Sequence, residues 1–175
     1  MRIRAALVTA LLWAAPASAA FAQALLQPVA QVGLQPLSET PPADIDALLR
    51  AQWPGYYRGG GDPSFTPAQV RVGRIDLDGD GVAELLVLLE APDWRSLDGG
   101  PLLVARWDGK AWQPVGWGYG EADGVYATAE RLGGWASVDT GSFWLRWDGR
   151  AYRAEAVTPP EPPAPELSSA EAAPR

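Results

Sequence analysis

Between residues 78 and 149 the dipeptide Asp-Gly occurs six times, and this run of turn signals constrains the fold more than any other feature of the chain. Asp-Gly readily supplies the positive φ angles that tight hairpin turns need. Apolar runs lie between the turns, at 70–77, 82–90, 102–107, 125–129, 135–138, 142–147 and 151–157. Seven short strands at this spacing predict a mainly β domain: an antiparallel sheet built from hairpins. One heptapeptide recurs after forty residues, Arg106-Trp107-Asp108-Gly109-Lys110-Ala111-Trp112 against Arg146-Trp147-Asp148-Gly149-Arg150-Ala151-Tyr152. It reads as a duplicated hairpin. With Asp-Gly as the two turn residues, Trp107 faces Lys110 and Trp147 faces Arg150, and each pair stacks a cation on an indole.

One N-terminal amphipathic helix is expected before the strands. Ile45, Leu48, Leu49 and Trp53 fall at i, i+3, i+4 and i+8, a single apolar face. Thr40 is placed to cap it, Pro41 suits the first helical position, and Pro54-Gly55 stops it. Residues 23–39, with Pro28 and Pro36 and no sustained period, read as a loose lead-in. Residues 40–157 read as a single β-rich domain. Residues 158–175 are rich in proline, alanine and glutamate, which predicts a disordered tail. Gly59-Gly60-Gly61 lacks the lysine of a phosphate-binding loop and reads as a connection.

The first 22 residues have the order of an export signal. Arg2 and Arg4 make a basic start, residues 5–15 carry no charge, and small-x-small triplets end at Ala19 and Ala22. Cleavage is expected after Ala22, with Ala19 as the alternative, and the protein is expected to be periplasmic or secreted. The apolar core is shorter than the roughly 20 residues of a membrane span. Losing Arg2 and Arg4 takes the formal charge from −7 to −9, a surface that repels phosphate backbones and excludes nucleic acid as a natural partner. The chain has no cysteine and no histidine. Disulfides cannot staple the domain, imidazole cannot act as base or ligand, and any metal site must use oxygen.

One segment offers such a site. In Asp76-Leu77-Asp78-Gly79-Asp80-Gly81-Val82-Ala83-Glu84, carboxylates stand at positions 1, 3, 5 and 9. Gly81 permits a tight curl, and the Val82 carbonyl can add a further oxygen, giving six or seven oxygens in a cage of the kind calcium prefers. An EF-hand needs a bidentate acid at its twelfth position, and Val87 stands there. The segment resembles the calcium loop of the FG-GAP/VCBS family of extracellular repeats, D-x-D-x-D-G-x-x-D/E between two strands. That resemblance implies Asp76, Asp78, Asp80 and Glu84 as side-chain ligands of one structural calcium ion. It covers one loop and one copy, so it implies no propeller.

Other motifs carry less. Asp139-Thr140-Gly141 matches the aspartic-protease signature, but a single copy lacks its facing aspartate, and it reads as a turn. Glu90, Asp93, Asp98, Glu121 and Asp123 are available to a carboxylate hydrolase of glycosidase type, with nothing to select a pair. Tryptophans in strands fill cores or stack on sugars and protein partners. In Trp117-Gly118-Tyr119-Gly120 the glycines leave the rings little local cover, so Trp117 and Tyr119 are the candidate ligand-binding residues. The sequence therefore favours a non-catalytic exported binding or structural domain, with carbohydrate or an extracytoplasmic protein as partner. A hydrolase and an inhibitor of an exported enzyme are the alternatives.

Overall fold

The structure, a computed structural model, describes residues 25–157. The expected export signal and the expected C-terminal tail lie outside the described residues. One helix, α1 (Ala43–Gln52), packs on a curled ten-stranded sheet. The strands are β1 (Pro28–Gln31), β2 (Gln35–Pro36), β3 (Val70–Ile75), β4 (Glu84–Leu89), β5 (Gly100–Trp107), β6 (Trp112–Gly120), β7 (Tyr126–Leu132), β8 (Trp135–Asp139), β9 (Phe143–Trp147) and β10 (Tyr152–Ala156). Their order is β1-β7-β8-β9-β10-β6-β5-β4-β3-β2.

That order divides the sheet into two meanders. One runs β2 to β6, with α1 between β2 and β3 and hairpins from β3 onward; the other runs β7 to β10 and takes β1 on its outer edge. They meet where β10 lies parallel to β6, at Tyr152 opposite Gly116, and every other pairing in the sheet is antiparallel. The expected antiparallel sheet is thus a mixed one at this single seam. Because β1 and β2 are joined by only Val32, Gly33 and Leu34, the two outer edges are drawn together and the sheet curls.

The segment expected to be a loose lead-in is therefore structural: it supplies both edge strands. Val32, Leu34 and Leu37 are buried, and Val32 N–H donates to Val125 O at 2.9 Å. Its prolines sit on edge strands, where a missing N–H breaks no ladder, and strands this short show no period.

Curling gives the sheet two apolar faces. Leu85, Val87 and Leu89 of β4 join Leu103 and Ala105 of β5 under α1, together with Ile45, Leu48, Leu49 and Trp53. Leu86 and Leu88 face the other way, into the curl, with Leu102, Val104, Val138 and Leu145. This explains the unbroken run Leu85–Leu89, since a strand buried on both faces has no polar side to present. Each fully buried leucine contributes about 1.5–3 kcal/mol by leaving water.

α1 follows its expected apolar face but starts later. Its N-cap is Pro42, which makes no side-chain capping bond, and Asp46 N–H donates to Pro42 O at 2.9 Å. Thr40 is not the cap; its carbonyl accepts from the Ser38 hydroxyl. Asp44 and Asp46 in the first turn and Arg50 in the last suit the helix dipole instead.

β6 was missed by the strand pattern. Pro114 and three glycines disguise it, and each has a place. Pro114 flanks a bulge, where Val104 pairs with Gly116 and Ala105 with Pro114, so one residue on β6 is left over. A Cβ on Gly116 would lie 2.3 Å from Tyr152 Cβ, and one on Gly118 2.6 Å from Leu145 Cδ2. Only glycine lets the two meanders approach so closely.

The duplicated hairpins are real, but their turns differ from the expected two-residue form. Trp107 faces Trp112, and Trp147 faces Tyr152. Asp108 Oδ1 accepts from Lys110 and Ala111 N–H, both at 2.8 Å, and Asp148 Oδ1 does the same for Arg150 and Ala151. Bridging two amides puts each aspartate at the head of a four-residue loop. The indoles consequently meet aromatic rings across the hairpin rather than the following cation.

Candidate metal centre

The loop from Asp76 to Glu84 joins β3 to β4, the first hairpin of the first meander. Its aspartates fold it by bonding forward to the backbone. Asp76 accepts from Gly79 N–H (2.7 Å) and Gly81 N–H (3.0 Å), Asp78 from Asp80 N–H (3.1 Å), and Asp80 from Val82 N–H (2.7 Å). Gly79 and Gly81 hold φ of +80° and +87°, which a side chain would strain.

This curl brings Asp76, Asp78 and Glu84 together, with one carboxylate oxygen of each within 4.8 Å of the others. Three carboxylates so close could hold a metal ion. Glu84 is the decisive member, because it is 1% exposed. One of its oxygens, Oε2, accepts from Leu77 N–H at 2.7 Å. Burial, opposed in part by that bond and reinforced by the charges of Asp78 and Asp80, pushes its carboxyl up to about 7. A buried carboxylate facing two more leaves negative charge uncompensated, which a divalent cation could balance. With no imidazole or thiolate in the chain, the donors are all oxygen, which suits a hard cation.

Of the other expected ligands, Asp80 stays outside this cluster. Its Oδ1 holds Val82 N–H, and its Oδ2 lies 3.5 Å from Arg106 Nη2. Val82 is half exposed at the outer side of the loop. The same arginine stands 3.6 Å from Asp78 Oδ2.

Sequence reasoning missed the supports that the second meander gives. Leu77 O accepts from Ala136 N–H (2.7 Å) and from Arg131 Nη1 (3.0 Å), and Arg106 also lies over the Trp135 ring. Leu77 itself is fully buried. The loop is thereby pinned across the curl to β7 and β8. No local signal marks Arg131 or Ala136, since their position depends on how the two meanders close.

The remaining motifs resolve simply. Asp139 Oδ1 accepts from Gly141 N–H, and Thr140 exchanges hydrogen bonds with Phe143, so Asp139-Thr140-Gly141 is the turn between β8 and β9. Glu90 is held by Arg71 and Glu121 by Arg95, while Asp93 and Asp98 are exposed. Trp117 and Tyr119, the expected ligand-binding pair, are each 41% exposed on the outer face of β6. Among the described residues, no helix is long and apolar enough to cross a membrane. No family model, no curated protein and no solved structure matches the chain.

Proposed function

We propose that the chain is an exported, non-catalytic binding or structural domain whose loop at 76–84 holds one calcium ion as a staple. The observation that carries this reading is the buried Glu84 carboxylate converging with Asp76 and Asp78. Asp76, Asp78 and Glu84 would be the side-chain ligands. The likeness of this loop to the FG-GAP/VCBS type, set between two strands, supports calcium over smaller cations. Calcium also tolerates irregular oxygen cages better than magnesium does.

The ion's role would be mechanical. It would cancel the repulsion among the three carboxylates and hold Leu77, whose carbonyl ties the first meander to the second. At a free concentration about 100 times its dissociation constant it would add about 2.7 kcal/mol. For a domain without disulfides that is a sizeable share of total stability. Export fits this use, because calcium is plentiful outside the cytoplasm and thiols are absent from the chain.

Thermal unfolding in calcium and in excess chelator, for the protein and for Asp78→Ala, tests the proposal. Calcium should raise the midpoint of the unchanged protein by several degrees and leave that of the variant unmoved. Equal midpoints for the unchanged protein in both buffers would remove the staple.

A further inference from the structure

The geometry points to a carbohydrate-binding trough along the seam between β6 and β10 that takes a linear, uncharged polysaccharide chain. It rests on the reading of this chain as a binding domain and gives that reading a ligand. Two adjoining hollows make the trough. One, of about 280 Å³, lies between Pro114–Trp117 and Ala151–Ala154; the other, of about 210 Å³, lies among Pro101, Trp117, Tyr119, Phe143 and Ala154. Trp117 and Ala154 line both, so the hollows are neighbours that share a wall.

Trp117 and Tyr119 stand beside this seam two residues apart on one strand, roughly 6–7 Å along it. The intervening glycine points inward against Leu145, which fixes both rings outward. Each ring is backed: Trp117 by the edge of Trp53 at 5.2 Å, Tyr119 by Phe143 at 6.3 Å. The rings are therefore held in place before a ligand arrives, which lowers the entropy cost of binding.

Their polar tips set the chemistry. Among the described residues, neither the Trp117 indole N–H nor the Tyr119 hydroxyl has a hydrogen-bond partner within the protein. A partly exposed ring with a free donor beside it matches a sugar ring, which presents an apolar C–H face and a hydroxyl rim. The lining offers no net charge, because its one charged side chain, the exposed Arg153, is paired through Nε with Asp148 at 2.7 Å. The formal charge of −7 also repels anionic polymers. A neutral glycan meets each of these conditions, whereas an extended peptide would need backbone partners that ring faces do not supply.

Tryptophan fluorescence and calorimetry with cellohexaose, laminarihexaose, maltohexaose, chitohexaose and polygalacturonate provide the test. At least one neutral oligosaccharide should bind, and Trp117→Ala should weaken it by about tenfold or more. Tyr119→Ser, at an exposed position, should weaken it less, and it keeps the test decisive should the loss of Trp117 disturb Trp53. Polygalacturonate should not bind. Neutral glycans all weaker than about 10 mM, binding indifferent to both substitutions, or preference for the anionic polymer would each overturn the proposal. Repeating the titration with Asp78→Ala separates the two readings. Glycan binding without a calcium response removes the staple alone, and a calcium response without glycan binding removes the trough alone.

Discussion

Changing Glu84 to glutamine should stabilise the protein without calcium and destabilise it with calcium, a reversal that isolates what the buried carboxylate does. Glutamine keeps an acceptor for Leu77 N–H and removes the charge. With the folded carboxyl at about 7 against an ordinary value of 4.5, ionising Glu84 costs the fold about 3 kcal/mol at pH 8. The direction follows from the raised value. The folded state holds the proton more tightly than the unfolded chain, so this stability is complete below pH 4.5 and is lost as pH rises through about 7. In chelator at pH 8 the Glu84→Gln protein should therefore melt higher, by roughly 10 °C for a domain of this size. At pH 5 most of the advantage should vanish, to less than about 1 kcal/mol. In saturating calcium at pH 8 the order should invert, because the unchanged protein gains the ion and the variant lacks a ligand for it. Differential scanning calorimetry of both proteins at two pH values, with and without calcium, reads all four cases. A variant that melts below the unchanged protein in chelator at pH 8 would refute the account of Glu84 as a buried, uncompensated charge.

Two further changes probe how the meanders and the helix are joined. Gly118→Ala places a methyl 2.6 Å from Leu145 Cδ2, and denaturant unfolding should show a loss of about 1–3 kcal/mol; a neutral result would mean that the seam has room for a methyl group. Trp112→Phe removes the indole N–H that donates to Asp44 Oδ2 at 2.7 Å and ties β6 to α1, with an expected loss of about 1 kcal/mol by the same measurement, and no loss would show that this bond contributes nothing net.

The fold was legible wherever one residue's local preference agreed with its tertiary place. The Asp-Gly turns, the run Leu85–Leu89 and the face Ile45-Leu48-Leu49-Trp53 all belong to that class, and the strands and helix follow from them. β6 was not legible, because Gly116 and Gly118 answer to Tyr152 and Leu145, residues placed beside them only by closure of the sheet. β1 and β2 were hidden for a related reason: strands of four and two residues carry no period, and only their partners on β7 and β3 define them. In the candidate site, the spacing of Asp76, Asp78 and Glu84 was readable as a convergence. The near-complete burial of Glu84 was not, since it depends on the second meander covering the loop. Asp80 shared the spacing but turned to cap Val82, which spacing alone does not reveal.

Equilibrium dialysis against calcium, with the bound ion counted per chain, tests the central claim most directly. The protein should bind one calcium ion, and Asp78→Ala should bind none while keeping its β-sheet circular dichroism. No bound calcium in the folded protein, or equal binding by the variant, would contradict the assignment of the 76–84 loop as a metal centre.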